Sequence, residues 1–429
     1  LKYLKHLLVL AVFLLLSFLF FRLCLDNGFW DGYDYVGLEN SLMMRSDPGA
    51  AFASAPPFKF QPLVYIIHYL LFKHFLFNAS SYFLFNILLH GLNSFLVYLL
   101  VNTLIRDRAI ALLSGLLFVF TVGSYGKSVM IASGLEDLVI TFFTLCTMIS
   151  YFHNELRHGG RVLSPWYLLT LIFFAASMLT RSTSFSILGA FLAFNFFFRR
   201  ERKRKVVDAG FLILIAMSIV SLIAKASLFQ YSPPLYKHYP GAFKFIFYAA
   251  KNVINYLVRM IFPIHTSHLV TGAGPAVRFF YRFATEIRIF LALTVLSYSF
   301  FGFVFGNRTI RFFIAWTYIM VLPFAFFQFP GDWLNIRHLY LVSVGFVSVI
   351  AAGAVYCSRL ISENRWRRLV PMIVPVAFIL MSRFIVVQLD SSYRVKAASP
   401  IMADFRNMLA DKYEDVYVDG DKLKLRTRP

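Results

Sequence analysis

Four acids, Asp26, Asp31, Asp34 and Glu39, fall within fourteen residues just after the first strongly apolar segment of the chain. A carboxylate held there can take a proton from a hydroxyl. Much later, Arg337 opens another apolar stretch, Arg337-His338-Leu339-Tyr340-Leu341-Val342-Ser343-Val344-Gly345-Phe346, and a guanidinium at the mouth of a membrane helix is costly unless it meets an anion. Lys127, Asp137 and Arg181 stand at the ends of other apolar runs. The outward-facing ionisable set is therefore Asp31, Lys127, Asp137, Arg181 and Arg337. One proton acceptor with several anion-binding cations suits displacement of an anionic leaving group. Plainer readings stand beside this one: loop acids that cap a helix or are solvated, which fits Asp26 and Asp34 best, and an Arg337 paired with nearby Asp332.

What must position these residues is set by composition. Of 429 residues, 59% are hydrophobic and 15% charged, with 51 phenylalanines and a mean hydropathy of +0.68. That predicts an all-α polytopic membrane protein and excludes a soluble core. The formal charge of +21 does not imply nucleic acid, because the basic residues sit in short clusters between apolar runs, where retention of positive charge on one side of a membrane explains them. Cys24, Cys146 and Cys357 lie in or beside apolar segments and imply no disulfide framework.

About eleven transmembrane helices are predicted, at 4–24, 81–102, 109–122, 135–152, 166–179, 184–198, 206–229, 286–305, 312–329, 338–360 and 369–389. Residues 60–77 are apolar but carry His68, Lys73 and His74. If they do not span, Lys2/Lys5, Arg106/Arg108, Arg157/Arg161, the basic run 199–205, Arg308/Arg311 and Arg359/Arg365/Arg367/Arg368 all fall on one face, which fixes that face as cytoplasmic. The loops 123–134, 180–183 and 330–337 on the other face hold only Lys127, Arg181 and Arg337 as basic residues. Segment 60–77 is accordingly expected to be a juxtamembrane helix on the outer leaflet, begun by Pro62. The first outer loop is then 25–80 and the second outer segment 230–285, with the N-terminus inside, the first span kept as an anchor, and the C-terminus outside. Residues 1–389 form the transmembrane domain and 390–429 a small exoplasmic tail, in which Ser399-Pro400 starts a helix and 416–421 turns between two short strands.

Several short motifs occur in order. Phe29-Trp30-Asp31-Gly32 with Glu39-Asn40 is similar to a Phe-x-Asp-Asp pattern followed by an Asn-Asn or Glu-Asn pair; Phe60-Gln61-Pro62-Leu63-Val64-Tyr65 to Phe-Arg-Pro-Leu-Val-Tyr. The stretch from Tyr82 to Asn93, with Asn86, His90 and Asn93, resembles Tyr-His-x-x-Asn-x-x-Leu-His-x-x-Asn. Ser133-Gly134-Leu135-Glu136-Asp137-Leu138 resembles Ser-Gly-Arg-x-Asp-Leu, and Leu179-Thr180-Arg181-Ser182 stands where Leu-Ser-Lys-Glu is usual. With the Arg337 segment, these resemble the GT-C glycosyltransferases, in particular the tetratricopeptide-repeat-associated membrane O-mannosyltransferases and their bacterial relatives, over roughly residues 20–350. No repeat of tetratricopeptide length is present, which points to a bacterial inner membrane. Four departures stand out: Gly32 for an acid, Leu135 for Arg, Ser182 for Glu, and Val122-Gly123-Ser124-Tyr125-Gly126-Lys127 for His-Pro-x-His-x-Glu. For His90 and Asn93, one turn apart, an interhelical hydrogen bond is the expected role.

The resemblance implies transfer of a sugar from a polyprenyl phosphate to a protein, lipid or glycan hydroxyl on the outer face. It implies Asp31 as base and Arg337 as main phosphate ligand, with Arg181 and Lys127 as helpers and Asp137 as an orienting or acceptor-binding group. A phosphate already leaves well, so no paired general acid is required. Asp31, Asp34 and Glu39 offer oxygen ligands to a divalent ion, but the chain has no compact His or Cys set, and neither metal nor cofactor is expected. Two other classes are a catalytically silent GT-C-like subunit of a membrane complex, which the four departures favour, and a glycan polymerase or lipid-linked-sugar transporter.

Overall fold

Backbone in a bilayer must satisfy its own hydrogen bonds, and the computed structural model places a helix on each of the predicted apolar segments. It describes residues 2–49, 61–121, 127–199, 205–228, 242–261, 282–325, 336–361, 367–420 and 422–426. In chain order the helices are α1 (Lys2–Phe21), α2 (Gly32–Ser46), α3 (Pro62–Phe75), α4 (Ala79–Ile105), α5 (Arg108–Phe120), α6 (Leu135–Arg157), α7 (Pro165–Met178), α8 (Ser186–Phe194), α9 (Ala209–Leu228), α10 (Ala242–Ile261), α11 (Ala284–Phe305), α12 (Arg308–Ala325), α13 (Leu339–Leu360), α14 (Ile373–Ala397) and α15 (Pro400–Lys412). A hairpin of β1 (Val416–Asp419) and β2 (Lys422–Leu425) follows, antiparallel with Val418 opposite Leu423. The chain is an all-α polytopic membrane protein.

Among the described residues, six helical stretches are long and apolar enough to cross a membrane: Leu4–Asp26, Ala79–Ile105, Ala132–Arg157, Thr285–Phe305, Leu339–Leu360 and Leu369–Ala397. Of these six, α4, α6 and α13 are the most deeply buried. By contrast only 6% of the Thr285–Phe305 stretch is buried, and Phe290, Leu293, Phe300 and Phe301 point outward from it, as suits a lipid-facing helix. Inside the core His90 Nε2 lies 3.2 Å from the Val119 carbonyl, so that nitrogen carries the proton; His90 Nδ1 then accepts from the Tyr340 hydroxyl at 2.8 Å. Asn93 Nδ2 donates to the Leu138 carbonyl at 2.9 Å and to the Tyr340 oxygen at 3.3 Å. This interhelical bonding is the role expected of His90 and Asn93.

Pro62 begins α3, whose fourteen residues are too few to cross a bilayer upright. Its start is tied to the end of α7 by the Leu63 amide donating to the Leu179 carbonyl at 3.3 Å. Within the segment read from sequence as an outer loop, 230–285, the structure has the twenty-residue α10. Lys244, Lys251 and Arg259 lower its average hydropathy, while Tyr256, Leu257 and Met260 are buried and Asn252 Nδ2 donates to the Ala325 carbonyl of α12 at 2.9 Å. Such an amphipathic helix escapes a search for uniformly apolar runs.

The C-terminal residues form the elements read for them: Ser399 precedes α15, and Gly420, at φ +58°, turns the hairpin. They pack on the first loop. Lys412 pairs with Glu39, Arg45 reaches Asp415 at 2.5 Å, and Phe405 stacks on Tyr35 with ring centres 5.5 Å apart.

Candidate active site

The loop after α1 turns sharply into α2, and Asp31 is the residue that caps it. Asp31 Oδ1 accepts from the Tyr33 amide at 3.1 Å, while Asp34 Oδ2 accepts from the Asp31 amide at 3.4 Å. This reciprocal cap satisfies two amides that a helix start leaves open. Asp31 remains reachable, however: its other oxygen faces Lys127 Nζ at 3.6 Å, and its side chain is 14% exposed. Of the two acids read as capping or solvated, Asp26 is exposed, with Arg394 Nη2 3.4 Å from its carboxylate. Asp34 is buried, with Oδ1 accepting from the Ser133 amide at 2.8 Å.

Gly32, which stands where the resembled pattern has a second acid, has a packing reason. A Cβ there would come within 2.9 Å of the Phe405 ring of α15. The C-terminal helix occupies the space that another side chain would need.

Residues 127–134 fold back on themselves before α6. A Cβ on Gly134 would lie 1.8 Å from the Ser128 carbonyl oxygen, so only glycine permits this approach. The loop is also held by Trp30 Nε1 donating to the Met130 carbonyl at 2.9 Å and Asn86 Nδ2 donating to that of Ile131 at 2.6 Å. It thereby sets Lys127 beside Asp31, and Ser128 beside Asp137, to which the Ser128 hydroxyl donates at 3.2 Å.

At the first turn of α6, where the helix dipole favours anions, Glu136 and Asp137 meet both arginines in a buried cluster. Arg181 donates from Nη1 to Asp137 at 2.6 Å and pairs through Nε with Glu136 at 2.9 Å. Arg337 donates from Nε to Asp137 at 2.9 Å, and its Nη2 lies 3.5 Å from Glu136. Burial opposes the Arg337 charge, but Asp137 and Glu136 outweigh it and hold the guanidinium above the usual arginine range. Asp332, the neighbour read from sequence as its alternative partner, lies outside the described residues, as do 122–126 of the divergent stretch ending at Lys127. The cluster is completed by Gln61 Nε2 donating to Glu136 at 2.7 Å and by Arg181 Nη2 facing His338 Nδ1 at 3.1 Å. A cleft lined by Asp137, Arg181, Arg337, His338, Phe324 and Tyr340 opens beside it, with about 10 Å³ of free volume, room for about one water.

All five site residues named from sequence therefore lie in two linked groups, Asp31 with Lys127 and Asp137 with Arg181 and Arg337. Sequence reasoning passed over Glu136, Gln61 and His338. Glu136 sits inside a quoted motif, but at a variable position of it; Gln61 stands where the motif has Arg, and His338 directly follows Arg337.

Asp34 supplies a test of this local architecture. Burial, and secondarily the charge of Asp31, push its pKa up to about 7, whereas an aspartate in an unfolded chain ionises near 4. Its contribution to stability is full below about pH 4, declines as pH rises toward 7, and is constant above, with a slope of up to about 1.4 kcal/mol per pH unit. Asp34→Asn should flatten the dependence of melting temperature on pH between 5 and 7. An equally steep curve in the variant would contradict the burial of an ionisable Asp34.

The sequence profile of the family described as dolichyl-phosphate-mannose-protein mannosyltransferase matches residues 54–229. No curated protein gives a significant match by sequence. Among solved structures, the archaeal oligosaccharyltransferase AglB from Archaeoglobus fulgidus, in complex with an inhibitory peptide and a dolichol-phosphate, superposes with a TM-score of 0.52 at 14% identity, over 92% of this chain and 56% of that one. The apo form of the Archaeoglobus fulgidus oligosaccharyltransferase gives a TM-score of 0.52 at 14% identity, over 90% and 56%. The chain thus spans a little over half the length of these proteins, and at such identity the likeness is one of fold.

Proposed function

We propose that this chain is a GT-C-type glycosyltransferase that moves a sugar from a polyprenyl-phosphate donor to an acceptor hydroxyl on the outer face of a membrane, a reading supported by the family profile over residues 54–229 and by the shared fold. In the proposed step the acceptor oxygen attacks the anomeric carbon while its proton passes to Asp31. The bond from that carbon to the phosphate oxygen breaks, and the electron pair leaves with the phosphate. Arg337, helped by Arg181, meets the charge that grows there; a planar guanidinium can donate two hydrogen bonds to it at once. Lys127, 3.6 Å from Asp31, adds a further cation for the incoming anion, and Asp137 aims the two arginines. The basic clusters on the opposite ends of the helices support the N-terminus inside and the C-terminus outside.

The observation that carries this reading is the juxtaposition of a reachable, lysine-paired carboxylate with two oriented guanidiniums, built by the loop before α6. A specific observation favours a second reading, the catalytically silent subunit. Arg181 and Arg337 face two carboxylates one for one, and the cleft beside them is nearly filled. The two separate in purified protein reconstituted in liposomes with a panel of polyprenyl-phosphate sugars and hydroxyl acceptors. The transferase reading expects sugar-dependent release of polyprenyl phosphate with at least one donor; tight donor binding with no release from any would instead support the silent subunit.

A further inference from the structure

At the far end of α6 from Asp137, about 30 Å away by the rise of the helix, a second cavity of about 290 Å³ opens between the ends of α4, α5 and α6. Its lining is Asn102, Thr103, Arg106, Arg108, His153 and Arg157, with Leu156. Three guanidiniums share this pocket, and among the described residues no carboxylate lines it. The nearest acids in the sequence are turned elsewhere. Asp107 caps α5 by accepting from the Ala109 amide at 3.0 Å, and it pairs with Arg359. Glu155 is bound by Arg199 through Nε at 2.9 Å and Nη2 at 2.5 Å.

The backbone adds an independent sign. Arg106 ends α4 at φ +59° and ψ +25°, a left-handed conformation that disfavours a side chain bearing a Cβ and that helix ends ordinarily give to glycine or asparagine. Strain of this kind, kept by a charged residue at the rim of a cavity, points to a use for the side chain. At the same rim Trp166, in the first turn of α7, packs on His153 with ring centres 4.0 Å apart. Tryptophan at the end of an apolar helix marks the depth at which lipid headgroups lie.

We propose that this pocket binds the phosphate of an anionic membrane lipid, with Arg106, Arg108 and Arg157 as its ligands and Asn102 and Thr103 as neutral donors. The tail of such a lipid lies along the apolar flank of the bundle while its phosphate sits among the arginines. Basic pockets between membrane helices suit such headgroups, and each basic residue contributes about a 5-fold gain in affinity.

The test is native mass spectrometry of the full chain released from nanodiscs containing phosphatidylglycerol or phosphatidylcholine, with Arg106→Gly and Arg157→Gln as variants. Phosphatidylglycerol should be retained over phosphatidylcholine, each variant should weaken that retention by about 5-fold, and the double variant by about 25-fold. Glycine relieves the strained turn, so Arg106→Gly should melt no lower than the parent in lipid-free detergent, which separates lost binding from lost folding. Equal retention of the two lipids, or undiminished phosphatidylglycerol in the double variant, would overturn the proposal. Displacement of the lipid by millimolar inorganic phosphate would equally overturn it and mark a site for free anion.

Discussion

Asp31→Asn is expected to remove sugar transfer, by a factor of about 100 to 10,000 if Asp31 is the base, and to leave the fold intact. Asparagine caps a helix as well as aspartate does, so the Asp31 contact with the Tyr33 amide survives. The amide cannot take a proton. Asp34 cannot substitute for it: Asp34 is buried, and its two oxygens are turned to the amides of Ser133 and Asp31. Asp26→Asn provides the control, since Asp26 is exposed and only distantly met by Arg394. Turnover by Asp31→Asn, Asp34→Asn and Asp26→Asn, measured in the same liposomes, should fall steeply only for the first. An unaltered rate in Asp31→Asn removes the assignment, and a loss confined to Asp34→Asn would mean the motif was matched to the wrong carboxylate.

How far this site could be read without coordinates differs from residue to residue, for physical reasons. The apolar helices were legible because a bilayer demands long uninterrupted runs, and among the described helices it was α10, whose charged face dilutes its average, that was hidden. Asp31 and Arg337 were legible because a charge beside an apolar helix needs a reason. The partner of Arg337 was not. Sequence proximity suggests Asp332, which lies outside the described residues; among those described, Asp137, two hundred residues earlier, meets Arg337 at 2.9 Å. That contact depends on α6 and α13 packing together, which hydropathy cannot order. Gly32 shows the same limit from the other direction: it reads as a lost acid, and becomes intelligible once Phe405 of a helix more than three hundred residues later is seen against it.

Arg337 carries the second large expectation, and its pairing with Asp137 changes how it must be tested. Arg337→Ala would leave Asp137 and Glu136 buried with one cation fewer, a loss that typically costs about 3–5 kcal/mol; inactivity in that variant would say nothing about phosphate. Arg337→Lys keeps the charge and gives up the fork. If Arg337 meets the leaving phosphate, lysine should preserve most donor binding and melting temperature while turnover falls by roughly 100-fold or more, because the lost hydrogen bond matters most where charge develops. The complementary variant removes charge in balance: Arg337→Met with Asp137→Asn takes away one cation and one anion together and leaves Arg181 with Glu136 at 2.9 Å. Stability should largely return in that double variant relative to Arg337→Ala, and activity should not. Melting temperature, donor affinity and turnover across Arg337→Lys, Arg337→Ala, Asp137→Asn and the double variant then separate the two roles, and full turnover in the stable double variant would reduce Arg337 to a counter-ion for Asp137.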